Sequence, residues 1–343
     1  MLAFLLGKLL RGLALLAGVT LVTFLLVHAI PGSPWNNNLN LAQAAPGAGL
    51  DAAGQRELNR RFGLDLPVWR QFTRYLIGDV EPEGGFFCGV LCGNLGPSLR
   101  QRGRTVLAIL FEPPEGQSGW ESRFGYSLRL VLLGAVLTTG LGLPLGVLGA
   151  ARANSALGRA LSAGLAALVS IPNFVLGLLV IMVFASWLKL INVLPDWDDA
   201  RQWLIPALVL AVMPLASLAR VTRAAVLNIL NEDYIRTARA KGLTRARVLW
   251  VHVLRNALAP ILAFLGPALI EMFTGLLIVE NLFAFPGFGR EYWRAVLALD
   301  YPLILGVTLL YAAGFVLVTT LLEAAGELLD PRLRPPPAHR EAP

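Results

Sequence analysis

Six long stretches of this chain are free, or nearly free, of charge, and they constrain its fold more than any other feature. They are residues 12–30, Leu130–Ala150, Ala160–Leu188, Gln202–Ala219, about Ala257–Phe285 and Pro302–Leu322. His28 lies in the first, and Glu271 and Glu280 interrupt the fifth. A helix that crosses a bilayer needs about 20 mostly apolar residues, a length that each run approaches or exceeds. Only 15% of the residues are charged, against roughly 25% in soluble domains, so lipid is the expected solvent. Backbone amides in hydrocarbon must be satisfied internally, and runs this long without alternation are helices, not barrel strands. The expected fold is all-α, a polytopic membrane protein of six transmembrane helices. Pro144, Pro172, Pro206, Pro214 and Pro267 fall inside these runs, where packing against neighbours accommodates them as kinks. Gly134, Gly140, Gly142, Gly146 and Gly149 are expected to let helices pack closely. Lys8 and Arg11 precede the first run as in a signal peptide. That run is longer than the usual core of about 7–15 residues and lacks a small-residue cleavage site, so a retained helix is expected.

Lysine and arginine in short loops set orientation. With both termini inside, the inner segments hold Lys8, Arg11, Arg152, Arg159, a basic cluster from Arg220 to Arg255, and Arg332, Arg334 and Arg340. The short outer loops hold Lys189, Arg201, Arg290 and Arg294. This asymmetry places both termini and the cluster in the cytoplasm. It also accounts for most of the net charge of +7; no zinc-finger or aromatic-stacking pattern accompanies it, so nucleic acid is not an expected partner. Residues 31–123 become a long outer segment, and long translocated loops largely escape the charge rule. Within it, Asp51–Arg61 and Pro67–Ile77 read as short amphipathic helices broken at Gly63-Leu64-Asp65. Cys88 and Cys92, the only cysteines, sit in a glycine-rich tract of this segment. On the outer side they are expected to pair, and without a nearby histidine they do not suggest a metal site.

The sequence contains no GxxxxGK[ST] phosphate loop, no HExxH and no GxSxG. It therefore reads as a conduit without a motor, with no catalytic residue, metal or cofactor of its own. Against that background one polar insert stands out: Glu232–Leu262, EDYIRTARAKGLTRARVLWVHVLRNALAPIL. Its first part places Tyr234, Thr237, Ala238 and Lys241 on one helical face, with Arg236 and Arg239 opposite. Gly242 permits a sharp or left-handed turn, and Thr244 can cap a second helix. That helix sets Arg245, His252 and Asn256 on one side and Trp250 and Leu254 roughly on the other. Periodicity alone leaves two readings open, a solvated inner loop or a bent lever that docks onto another surface.

The insert resembles the EAA loop of binding-protein-dependent ABC importer permeases, in the form of the oligopeptide/dipeptide/nickel branch. Arg236, Thr237 and Ala238 stand at the EAA positions and Gly242 at its glycine. Leu254 matches the leucine of the closing motif, while His252 and Arg255 stand where the wider family has isoleucine and proline, as is usual for this branch. GVTLVTFLLVHAIPGSP, RFGLDLPVWRQFTRYL, GNLGPSLRQRGRTVLAIL, IVENLFAFPGFGREYWRAVLALDYPLILG and LLDPRLR resemble further segments of its B-type permease, so the likeness covers nearly the whole chain. Residues 81–93 and 111–120 look like insertions.

The resemblance implies a type I ABC importer permease fold. Its parts would be an N-terminal helix at 1–30, an extracytoplasmic segment at 31–123, a type-1 transmembrane domain at 124–330 and a cytoplasmic tail at 331–343. It implies that Asp233, Tyr234, Arg236, Thr237, Ala238, Arg239, Lys241, Gly242, Arg245, His252, Arg255 and Asn256 form the contact with ATPase subunits. The implied partners are a second homologous permease, two cytoplasmic ATP-binding subunits that carry ATP and magnesium, and an extracytoplasmic solute-binding protein. The setting is the plasma (inner) membrane of a bacterium or archaeon, and membrane lipid surrounds the chain. Intramembrane carboxylates are costly, so Glu271 is expected to line the path or meet a structural partner at the permease–permease interface. Glu280 is a structural or gating candidate. The cargo stays open among peptides, nickel complexes and other small solutes. The rival of a different class, an ion-coupled secondary transporter, needs a coupling site of its own, for which Glu271 is the sole support.

Overall fold

The structure is a computed structural model that describes residues 2–30, 35, 52–80, 86–101, 103–189, 196–197, 199–244 and 247–329. Packing divides the chain into two units, Met1–Leu128 with Ala284–Gly314 and Arg129–Phe283 with Phe315–Pro343. Ala284–Gly314 thus groups with the N-terminal part of the chain, across the division at residue 124 expected from sequence.

The first unit begins with α1 (Leu2–Ala29), the first apolar run, followed by α2 (Ala52–Phe62) and α3 (Val68–Leu76). Both short helices lie within a residue or so of their expected bounds. They are separated where Gly63 takes φ +70°. The all-α expectation misses one detail: β1 (Gly78–Val80) and β2 (Phe86–Cys88) pair antiparallel, with Asp79 opposite Phe87. The pair occupies part of the glycine-rich tract, where short extended runs meet no helical periodicity. Cys88 ends β2, and its sulfur is bonded to that of Cys92 across a single 3-10 turn. Thr105 then caps α4 (Val106–Phe111) by accepting from the Ala108 amide at 3.1 Å.

Two buried carboxylates organise the rest of this unit. Asp300, only 1% exposed, accepts from the Ser98 hydroxyl, from the Leu99 amide at 3.1 Å and from the Arg100 amide at 3.4 Å. The Arg100 guanidinium donates to Ala298 O at 2.8 Å. Burial pulls its pKa below the ordinary value, with Asp300 acting against that shift. Glu291 is held by Arg294 at 2.9 Å and Arg123 at 3.3 Å, and accepts from Gln101 at 3.3 Å. A buried acid without such partners would be strongly unfavourable.

Among the described residues, five helices are long and apolar enough to cross a membrane: Leu10–Ala29, Arg123–Ala151, Arg201–Leu230, Val251–Leu282 and Tyr301–Leu321. The run expected as a single third span is a bent pair, with 102° between α6 (Ala156–Ser170) and the segment Asn173–Trp187. The latter comprises α7 (Asn173–Val180) and a π-type turn over Ile181–Trp187. Pro172 causes the break: it has no amide to donate, and its ring pushes the preceding residue out of the helical region. Ile171 accordingly sits at φ −90°, ψ 119°. The other prolines behave differently. Pro144 lies within α5 (Arg123–Ala151) and Pro214 within α8 (Leu204–Leu230), both continuous. Pro206 falls in the first turn of α8, where its missing amide leaves no gap.

In the second unit α8 meets α5 at small residues. A Cβ on Gly146 would lie 2.6 Å from Ala219 O and 2.6 Å from Thr222 Cβ, so only glycine allows that approach. Gly134, Gly142 and Gly149 also face neighbours within contact distance, whereas nothing lies within 4 Å of the equivalent point on Gly140. Gly140 is therefore not part of that packing stripe. The unit continues through α9 (Asp233–Ala240) and a π-type turn at Val248–Val253 into α10 (Leu254–Leu282). α11 (Phe288–Ala298) follows in the first unit, and α12 (Tyr301–Leu329), whose residues from Phe315 onward belong to the second, carries the last apolar run.

Candidate functional site

The polar insert folds as an elbow whose form follows from a few residues. α9 is short and mostly polar, with one apolar pair at i, i+3. Ile235 is fully buried and Ala238 nearly so. Both enter a core cluster that includes Val147, Leu218, Val226, Val253 and Ile261. That pair sets the rotation of the helix. Ala238 thus lies at the buried edge of the face it shares with Tyr234, Thr237 and Lys241: those three are exposed while Ala238 is buried. The side chains of Asp233 and Arg236 are 94% and 72% exposed and form a 3.3 Å pair. Arg239 is exposed as well.

The helix stops at Gly242. Its amide bonds Arg239 O at 2.9 Å, and the Leu243 amide bonds Ala238 O at 3.4 Å. These are the two bonds of a Schellman motif, which needs a left-handed residue just past the helix end. Gly242 supplies it at φ +78°. Leu243 packs against the same core cluster as Ala238, adding the apolar contact that accompanies this motif.

Thr244 Oγ1 accepts from the Arg247 amide at 3.4 Å, the bond expected of an N-cap. The second arm is not a separate short helix. It continues without a break through the π-type turn into α10, because Pro260 is the first residue after Arg247 that lacks an amide. His252 is half-buried and Arg255 and Asn256 are exposed; Arg245 lies outside the described residues. The two arms are tied by Asn256 Nδ2, which donates to Tyr234 Oη at 2.9 Å and to His252 O at 2.8 Å. Sequence reasoning named both partners but missed the tie. It also missed Ile235, although an isolated i, i+3 apolar pair in a polar stretch was a readable signal.

On α10, Glu271 is exposed and Glu280 is fully buried. Nine residues at about 100° per residue place them on opposite faces. Among the described residues no group of three or more His, Cys, Asp or Glu side chains is placed to hold a metal.

Long apolar helices carrying a polar, core-anchored elbow define a multi-pass membrane protein with an exposed polar arm. Residues 142–335 match the model of the family described as binding-protein-dependent transport system inner membrane component. The Bacillus subtilis dipeptide transport system permease protein DppB is 34% identical over 92% of this chain and 92% of its own length. Its Escherichia coli K12 namesake is 32% identical, covering 97% of this chain and 99% of that protein. The B. subtilis oligopeptide transport system permease protein AppB is 29% identical over 97% and 99% respectively. The inward-facing MetNI methionine ABC transporter is a more distant likeness, at 20% identity and a TM-score of 0.47 over 61% of this chain and 94% of that one. The chain belongs to the binding-protein-dependent transport system inner membrane component family. It is a permease subunit of an ABC importer.

Proposed function

We propose that this permease carries di- and oligopeptides inward and that Asp233–Asn256 is the lever through which ATPase subunits move it. The cargo assignment rests on the dipeptide and oligopeptide permeases it resembles. The lever assignment is supported above all by the elbow's two-sided construction. One side is anchored in the core cluster through Ile235 and Ala238, and the other exposes Asp233, Tyr234, Arg236, Thr237 and Arg239. An arm built this way can pass a push from its exposed face to α8 and α10. The working assembly pairs the chain with a second permease, two cytoplasmic ATPases that bind ATP and magnesium, and an extracytoplasmic solute-binding protein. Both termini and the elbow face the cytoplasm, and residues 31–123 face the binding protein. Glu271, exposed on the isolated chain, faces the path or the second permease.

Reconstitution in vesicles with the ATPases and binding protein tests this reading. Labelled dipeptide uptake that requires ATP inside the ATPase-accessible compartment is expected. Uptake driven by an ion gradient without ATPases overturns it. Uptake of nickel and not of dipeptide overturns the cargo assignment and leaves the lever standing.

A further inference from the structure

The first packing unit contains a cavity of about 920 Å³ whose lining is unusual in charge. Four arginines, Arg60, Arg61, Arg74 and Arg104, face it with a single carboxylate, Glu57. They arrive from α2, from α3 and from the loop before α4. Arg104 donates to Ala108 O at 3.3 Å. Among the described residues no carboxylate lies within ion-pair distance of Arg60, Arg61 or Arg74; the pairs in this unit are Arg70–Asp79 and those of Glu291. Tyr75 also lines the cavity, and its hydroxyl is buried without a hydrogen-bond partner. Burial pushes this phenol's pKa up, so it keeps its proton and remains a donor. Four arginines against one acid give the half-enclosed lining a net positive charge, which attracts an oxyanion, and the planar guanidinium fork fits phosphate oxygens.

The remainder of the lining indicates which oxyanion. Phe24 and His28 come from the end of the first span, and Tyr301, Pro302 and Leu305 from the start of the last. The cavity therefore sits where two membrane spans begin or end, at the depth of lipid headgroups and of interfacial aromatic residues. The same unit exposes Trp69 (69%) and Leu91 (76%), apolar surface suited to a headgroup–acyl boundary. We propose that this cavity seats the phosphate of an anionic phospholipid, with Arg60, Arg61 and Arg74 as donors and Phe24 and Leu305 against the start of the acyl chains. The proposal depends on the chain spanning a membrane and not on its cargo.

The test is native mass spectrometry of the purified importer in detergent, titrated with phosphatidylglycerol, phosphatidylcholine, inorganic phosphate or dialanine. Retention of phosphatidylglycerol over phosphatidylcholine is expected. The combined Arg60→Gln, Arg61→Gln and Arg74→Gln variant should weaken that retention by on the order of tenfold. Arg70→Gln, on the same helix as Arg74 but outside the lining, should not change it. If the combined variant does not assemble, Arg74→Gln alone is read by the same lipid count. Equal retention of the two lipids, or retention unchanged in the variants, overturns the proposal. Displacement of lipid by millimolar phosphate identifies a free-oxyanion site, and displacement by dialanine a peptide-carboxylate site; either also overturns it. Because no transport is measured, failure here leaves the peptide-importer reading untouched.

Discussion

Gly242 is the residue on which the elbow's angle depends. Any Cβ at φ +78° is strained by about 1–2 kcal/mol, yet nothing lies within 4 Å of the position it would occupy. A substitution there is penalised by backbone conformation alone. Gly242→Leu should leave the permease inserted and assembled but lower peptide transported per ATP hydrolysed, while Gly242→Asn, which tolerates the left-handed region, keeps most of the coupling. Parallel assays of uptake and phosphate release distinguish these outcomes; normal coupling in Gly242→Leu removes the turn from the mechanism. Asp300 lends itself to a stability test. Asp300→Ala leaves the Ser98 hydroxyl and the Leu99 amide without an acceptor, while the Arg100 amide keeps Ser98 Oγ at 3.1 Å, a loss on the order of 3 kcal/mol. It should appear as a lowered melting temperature and faster proteolysis of the first unit; an unchanged Tm contradicts the role assigned to Asp300. The two residues differ in legibility. Gly242 announces its turn because glycine between two helical stretches has few other uses. Nothing near Asp300 points to Ser98, a partner 202 positions away.

At the scale of elements, proline and glycine act by position and not by type. Pro172 breaks a run that sequence treats as a single span, while Pro144, Pro214 and Pro267 ride inside continuous helices. Hydropathy could not separate these cases, because membrane helices tolerate proline when neighbours satisfy the freed carbonyls. The glycines of α5 divide in a similar way. Gly146→Ala pushes a methyl group into Ala219 O and Thr222 and should destabilise by about 1–3 kcal/mol. Gly140→Ala meets open space and should be neutral or up to about 1 kcal/mol stabilising through helix propensity. Thermal unfolding of the two variants in the same detergent reads the contrast, and equal effects would contradict the close α5–α8 contact. The short helices α2 and α3 were legible nearly to the residue, since Gly63 and Pro67 punctuate them. The merging of the elbow's second arm with α10 was not, because the polar-to-apolar change near Ala257 resembles a boundary that the backbone does not make.

For the whole molecule, five of the six apolar runs were readable as long helices because hydrocarbon leaves an apolar segment few alternatives, while the third is a bent pair. The grouping of Ala284–Gly314 with the N-terminal region was not, being set by contacts such as Asp300–Ser98 and Glu291–Arg123. The family became legible at the intermediate scale, in an insert too polar for its surroundings and closed by its own cap. The central claim is that this insert transmits force from an ATPase, and cross-linking in an actively transporting assembly addresses it most directly. A photoreactive group placed at exposed Arg236 or Arg239 should capture an ATPase subunit, with yield changing between nucleotide-free and ATP-bound states. The same group at Glu112, exposed in the first unit, should not. Failure to capture an ATPase at either elbow position, in an assembly shown to transport, would contradict the account.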